Sequence, residues 1–524
     1  MRCHGERSRV AVRLLVATLV LLAGFAASAQ AQGHRARLSA DLSEHLSSPV
    51  QPAVDVIVTG DADRVAALAA RYGVTPKRIL RAGAVLRLDA GQLDAISQDP
   101  EVDHLSGDVP VYPAMAVTNE AIGADQVREG VEGLAGLTGR GVGIAIIDSG
   151  ITRHPALRDR IVATVDFTDG RGQGLDENGH GTHVAGIVAA SRPLDPKVTE
   201  SYAGVAPGAH LINLRVMGAD GSGLTSDVIE AIDWAIENRA RYRIRVINLS
   251  LGHPALESFV DDPLCQAVER AAAAGIVVVA AAGNLGKLAD GTPVVAGIES
   301  PGNSPFAITV GALNTRATAA RSDDAVATYS SRGPTPFDYL LKPDLVAPGN
   351  RVVSLEAPGS LLSTTYPDHH VAGGTFGYFE LSGTSMSAAV ASGAVALLLE
   401  ANPRMDPLRV KVALQLGASF VRDAGLIGAG AGSLNVLASV RVAKHGPSAR
   451  PAVTIADEEV TPDGVTFWVG ATRIIWGDRI IWGDRIIWGD RIIWGDRIIW
   501  GDRIIWGDRI IWGDRLVSGA DAPS

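Results

Sequence analysis

Three side chains in this chain stand where apolar elements begin or end, and their types suit one chemistry. Ser385 lies in Gly383-Thr384-Ser385-Met386-Ser387, ahead of the small apolar run Ala388 to Leu399. That pattern predicts a tight glycine turn and then a helix apolar on nearly every face, which is a buried helix. A serine in its first turn sits among unpaired backbone N–H groups at the positive end of the helix dipole. Negative charge raised on an oxygen during attack on a carbonyl is stabilised there. Taken alone, Ser385 reads first as a helix cap. Two other stretches reverse that balance. Gly141-Val-Gly-Ile-Ala-Ile-Ile147 has the β-branched apolar character of a strand buried on both faces, hence of a parallel sheet. Asp148 stands at its C-terminal end, where open α/β sheets place their sites. In Asn178-Gly-His180-Gly-Thr-His183, a histidine opens a small-residue helix after a flexible glycine. A serine hydroxyl is a weak nucleophile and needs a base within hydrogen-bond reach. An imidazole serves as base and then as acid, and a carboxylate fixes its tautomer and stabilises the imidazolium.

The elements that must carry these residues alternate in type. Leu211 to Met217, Arg245 to Leu251, Ile276 to Ala281 and Ala307 to Val310 are β-rich apolar runs, while Asp227 to Arg239 and Pro263 to Ala274 read as helices. Pro263 suits a first helical position, with Asp262 as its cap. The alternation predicts an α/β fold, a parallel sheet with helices on both faces. A hydrophobic share of 47% against a charged share of 20% suits a large core, and a formal charge of −10 argues against nonspecific nucleic-acid binding.

With these residues in view, the chain resembles the subtilisin-like serine proteases. Asp148-Ser-Gly, His180-Gly-Thr-His-Val-Ala-Gly and Gly383-Thr-Ser-Met are similar to that family's catalytic motifs, in its order. Gly204-Val-Ala-Pro207 and Lys342-Pro-Asp-Leu-Val-Ala-Pro-Gly349 are further family hallmarks, and the likeness covers roughly residues 120 to 440. The resemblance implies a hydrolase acting on protein or peptide substrates, with Asp148, His180 and Ser385 catalytic. It implies an oxyanion hole made by Asn284, in Ala281-Ala-Gly-Asn284, and the backbone N–H of Ser385. It also implies substrate binding by Ser250, Leu251 and Gly252 on one side and by the edge carrying Gly221 and Gly223 on the other. An apolar-leaning first pocket is implied too, its floor unidentified. His183 is expected to be structural. Several positions depart from the family pattern. Ala388-Ala-Val390 replaces Ser-Pro-His after the nucleophile, and His253 replaces a glycine. His154-Pro-Ala156-Leu157 lacks a calcium-binding aspartate, and Tyr202-Ala203 stands where a calcium loop is usual. Calcium needs six or more oxygen ligands. No metal or other cofactor is therefore carried over, although acidic loops elsewhere leave calcium open.

The rest of the chain divides around this domain. Residues 1–31 have an arginine-rich start, an apolar run from Leu14 to Ala27 and small-residue cleavage sites, as a secretory signal does. A secreted or extracellular location is expected, with periplasm or cell envelope as variants. Cys3 would leave with the signal, so Cys265 has no disulfide partner and reads as a small hydrophobe. Residues 33–113 read as a small α+β sandwich, with strands at Val54 to Val58, Ile79 to Leu88 and Val102 to Leu105, and helices at Ala62 to Arg71 and Ala90 to Ser97. Its position resembles the ferredoxin-like propeptide of subtilisin-type precursors, which plugs the active site as an inhibitor; an accessory domain is the plainer reading. The peptidase domain is placed at 114–445, a linker at 446–472 and a tail at 516–524. Between the last two, residues 473–515 repeat Ile-Ile-Trp-Gly-Asp-Arg, with tryptophans at Trp476, Trp482, Trp488, Trp494, Trp500, Trp506 and Trp512. Gly-Asp suits a two-residue hairpin turn, which would place Trp476 opposite Arg479. The tract is either an expansion without a role or a surface for cell-envelope contact or self-association. The latter keeps open a reading of another class, an adhesion or assembly protein whose repeat is the working part.

Overall fold

Successive residues of a strand point to opposite faces of its sheet, and the strand Gly143–Asp148 is apolar on both. Ile144 and Ile146 join one hydrophobic cluster, and Ala145 and Ile147 another. This strand lies inside an eight-stranded sheet. The order is Ala325–Val326, Ala307–Asn314, Val277–Ala281, Ile244–Leu249, Gly143–Asp148, His210–Arg215, Ile161–Asp166, with Leu345–Pro348 also paired to Ala307–Asn314. All pairs are parallel except that of the short strand Ala325–Val326. Helices His180–Ala189 and Thr384–Ala401 cover one face, and Thr225–Asn238 and Pro263–Ala273 the other. Asp262 caps the last of these as expected, accepting from the N–H groups of Leu264 and Cys265. The computed structural model describes residues 35–47, 52–108, 110–113, 119–131, 133–168, 174–191, 202–316, 318–372, 376–421, 424–449, 451–455, 457–462, 465–467, 473–476, 479–482 and 517–518. The expected signal at 1–31, Cys3 and the repeat copies after Trp482 lie outside the described residues.

Thr384–Ala401 is, among the described residues, the one helix long and apolar enough to cross a membrane, and it is packed inside the domain. It runs beneath the sheet and packs against His180–Ala189.

The N-terminal unit is α+β. Its five strands run in the order Arg37–Leu38, His104–Gly107, Val54–Thr59, Gly83–Leu88, Pro76–Leu80. Helices Ala40–Ser47, Ala62–Arg71 and Ala90–Ser97 accompany them. Two of these begin on aspartate caps, Asp61 and Asp89, the second completed by Gln92 as a capping box. The apolar stretch expected as one run from Ile79 to Leu88 is divided into a hairpin, because Gly83 crosses so close to the Val58 carbonyl that a Cβ there would lie 2.1 Å from it. Val56, Val58, Leu86 and Leu88 pack under the unit's own helices. On the opposite face, Ile57, Leu80 and Val85 join the cluster of Val228, Ile229 and Ile232 on Thr225–Asn238.

Polar contacts fix this docking. Thr225–Asn238 has no side-chain cap of its own. Asp108 supplies one from the N-terminal unit, accepting from Ser226 N and Ser226 Oγ at 2.9 Å each. Arg78 pairs with Asp227 at the same helix end. Farther along, Glu257 of the larger domain receives His104 and Ser106.

Part of the stretch expected as a linker, 446–472, is packed against the domain. Strands Val453–Ile455 and Glu458–Val460 form a hairpin in which Val453, Ile455 and Val460 are buried. Gln415 accepts from Thr466 Oγ1 and Phe467 N. Proline and glycine composition suggested a linker, but the alternating apolar residues between them find a hydrophobic surface. In the tract, Arg473–Trp476 and Arg479–Trp482 pair antiparallel with Trp476 opposite Arg479.

Asp108 and Glu257 make the docking testable. Loss of a cap costs about 1 kcal/mol, so Asp108→Ala is expected to weaken binding of the separate 33–113 unit to the larger domain roughly fivefold. Burial, with Asp262 adding to it and His104 and Ser106 opposing, pushes the Glu257 carboxyl up to about 7. Its docked value lies above its ordinary one, so the docked state holds the proton more tightly. Docking is strongest below the ordinary carboxyl range and loosens as pH rises through about 7. Dissociation constants of the two parts measured on either side of that value should show it, and Glu257→Gln should flatten the profile.

Candidate active site

Asp148 and His180 are brought together at the C-terminal rim of the sheet. His180 Nδ1 lies 2.7 Å from Asp148 Oδ1, and both side chains are buried. A carboxylate on Nδ1 fixes the proton on that nitrogen and leaves the lone pair on Nε2. Gly179, with φ +106°, turns the chain sharply into the helix that His180 opens.

Asp176, which the sequence reading did not single out, holds this turn. Its Oδ1 accepts from Gly179 N at 2.7 Å and Ser149 Oγ at 2.8 Å, and its Oδ2 from Thr182 N at 2.7 Å. Ser149 N donates to Asp148 Oδ1, and Ser149 Oγ accepts from Gly181 N. One carboxylate thus ties the start of the histidine helix to the loop carrying Asp148. Burial raises its pKa against these hydrogen bonds. Its signal in the sequence was an aspartate just ahead of a glycine-led helix, a common capping position. His183, one turn on, bonds the Phe379 carbonyl through Nε2 at 2.9 Å, and burial lowers its pKa to about 3. It stays neutral and structural. His154 is also buried, accepts from Ala156 N through Nδ1, and is lowered to about 4 by desolvation.

Ser385 lies in the first turn of Thr384–Ala401, buried, with its Oγ donating to the Ser250 carbonyl at 2.8 Å. A chain of buried hydrogen bonds anchors it to the sheet. Ser392 Oγ donates to Asn248 Oδ1, Asn248 Nδ2 to Ser250 Oγ, and Ser250 Oγ to the Ser385 carbonyl. Asn248 is a second positioning residue that the sequence hid, since a polar residue closing an apolar strand has no local signature. Asn284 accepts from Thr384 N through Oδ1 at 3.2 Å. That bond orients the amide, and among the described residues no acceptor is bonded to its Nδ2.

The groove beside these groups is filled by the chain itself. Strand Pro110–Pro113 pairs antiparallel with Gly223–Leu224 on one side and with Leu251–Gly252 on the other. Gly223, Leu251 and Gly252, expected to bind substrate, here pair with an extended segment of the chain itself. Gly221 does not: with φ +81° it makes the preceding turn, packed on Asn178. His253 is buried, bridging to Ser300 and bonding the Pro254 carbonyl.

The subtilase family profile matches residues 139–436. The chain belongs to the subtilase family. This subtilase is 40% identical over 330 residues to the serine protease AprX of Bacillus subtilis, covering 62% of its own length and 72% of that protein's. It is 32% identical over 345 residues to an alkaline protease of Alkalihalobacillus alcalophilus, covering 66% and 76%. Fervidolysin from Fervidobacterium pennivorans, a keratinolytic enzyme related to subtilisin, shares the fold with a TM-score of 0.58 at 20% identity; the match covers 78% of this chain and 63% of that one. The protein is a subtilisin-like serine protease, a hydrolase.

Asp176→Ala removes three acceptor bonds at the start of the histidine helix. A lower melting temperature, by about 1–2 kcal/mol of stability, is expected together with a roughly tenfold fall in kcat at little change in KM. Thermal unfolding and steady-state kinetics on the same preparation check it.

Proposed function

We propose that this subtilase is a secreted endopeptidase made as a self-inhibited precursor, with Asp148, His180 and Ser385 as its catalytic residues. The observation that carries the reading is the buried 2.7 Å Asp148–His180 bond beside a groove already holding an extended segment. Ser385 Oγ attacks the carbonyl carbon of the scissile bond while its proton passes to His180 Nε2. The new oxyanion is held by Asn284 Nδ2 and the N–H of Ser385. Collapse breaks the C–N bond, and His180 returns its proton to the departing amine. Water, deprotonated by His180, then attacks the acyl ester, and the proton goes back to Ser385 as the acid leaves.

The strand Pro110–Pro113 lies along the groove as a substrate would, a β-augmentation. With the 33–113 unit docked behind it, this supports an inhibitory propeptide whose removal frees the groove, the cut falling between Asp108 and Glu120. The signal-like residues 1–31 support export. No step calls on a metal or another cofactor.

Casein hydrolysis by the secreted product is expected to vanish in Ser385→Ala and to survive truncation before Arg473. Survival in the first, or loss in the second alone, would move the activity elsewhere. Asn284→Leu should lower kcat by about 10²–10³, the magnitude known for the corresponding donor of subtilisin. Cys265 is buried, and burial pushes its thiol well above the ordinary range. Thiol-blocking reagents should therefore leave hydrolysis intact.

A further inference from the structure

Glu299 sits beside the groove in a position that the catalytic scheme does not use. Its side chain runs between two glycines, one on each wall. A Cβ on Gly283, next to Asn284, would come within 2.6 Å of Glu299 Cδ; a Cβ on Gly252, in the strand that pairs with Pro110–Pro113, would stand 3.3 Å from Glu299 Oε2. The backbone is fixed, Glu299 N donating to the Ala282 carbonyl at 3.1 Å. The residue as a whole is partly buried. Among the described residues nothing hydrogen-bonds or ion-pairs with its carboxyl, and burial alone pushes it up to about 7. An acid walled by glycines and without a cation is an unsatisfied site.

The register says what reaches it. Tyr112 lies opposite Gly252 and Pro113 opposite Leu251. A substrate continuing in this register brings its next residue level with Ser250, whose carbonyl is bonded to Ser385 Oγ. That is the residue whose carbonyl is attacked. Its side chain enters between Leu251–Gly252 and Ala282–Gly283, with Glu299 at the far end. Lysine and arginine have the length to cross such a pocket and the donors to meet a carboxylate, arginine with two at once.

We propose that Glu299 makes the first specificity pocket selective for a cationic residue, lysine or arginine, on the acyl side of the bond that is cut. This rests on the protease reading above and replaces the apolar-leaning pocket implied by the family resemblance. The chain's own segment 109–118, Val-Pro-Val-Tyr-Pro-Ala-Met-Ala-Val-Thr, offers no cation.

The test uses the secreted product on peptides that differ only at that residue: arginine, lysine, glutamine, leucine or phenylalanine. Active sites are counted by the burst of an acylating ester. Wild type should show kcat/KM for arginine and lysine at least roughly tenfold above that for leucine, and the arginine-to-leucine ratio should fall at least roughly tenfold in Glu299→Gln. Because a ratio is read on counted sites, partial misfolding does not mimic the result, and the wild-type profile stands without the variant. A full burst with preference for leucine or phenylalanine, or an unchanged ratio in Glu299→Gln, overturns the assignment of Glu299 alone. Absence of both burst and cleavage overturns the protease reading and this one with it.

Discussion

A carboxylate and an imidazole, both withdrawn from water, stand 2.7 Å apart although 32 residues separate them in the chain. Burial of polar groups is costly unless they are paired, so the fold must hold Asp148 and His180 together or lose stability at both. It does so with rigid parts. Asp148 ends a strand buried on both faces, His180 opens a helix packed beneath that sheet, and Asp176 binds the loop of one to the first turn of the other. Ser385 enters on a second buried helix tied to the sheet through Ser392, Asn248 and Ser250. Positional accuracy at the rim is a consequence of packing below it.

Much of this frame was legible in the residues. The apolar runs ending in Asp148, Leu249 and Ala281 have one reading as strands, and a helix such as Thr384–Ala401, apolar all round, has one place to go. What stayed hidden were polar residues whose partners are distant in sequence. Asp176, Asn248 and Asp108 look like turn or cap residues wherever they occur; only tertiary contact shows which helix start or hydroxyl each one serves. Gly221 and Gly223 are two residues apart in one glycine-rich loop, and which makes the turn and which the edge depends on the backbone path. The hairpin at 453–460 lies in a stretch whose composition looks like a linker, because its apolar residues are few and gain meaning only against the surface that receives them.

The groove unites these observations. The edges Gly223–Leu224 and Leu251–Gly252 hold Pro110–Pro113 between them as an extended strand. The N-terminal unit holds that segment by apolar packing on Thr225–Asn238 and by charged contacts at Asp108, Arg78 and Glu257. Glycines on the pocket walls follow from the same economy of space: a Cβ at Gly283 would occupy the volume of the Glu299 side chain.

The convergence of Asp148, His180 and Ser385 is most directly tested by covalent labelling. Treating the enzyme with a serine-directed phosphonylating reagent and mapping the adduct by peptide mass should place one adduct on Ser385, lost in a folded His180→Ala protein. An adduct on another residue, or undiminished labelling of Ser385 in the absence of His180, would contradict the account.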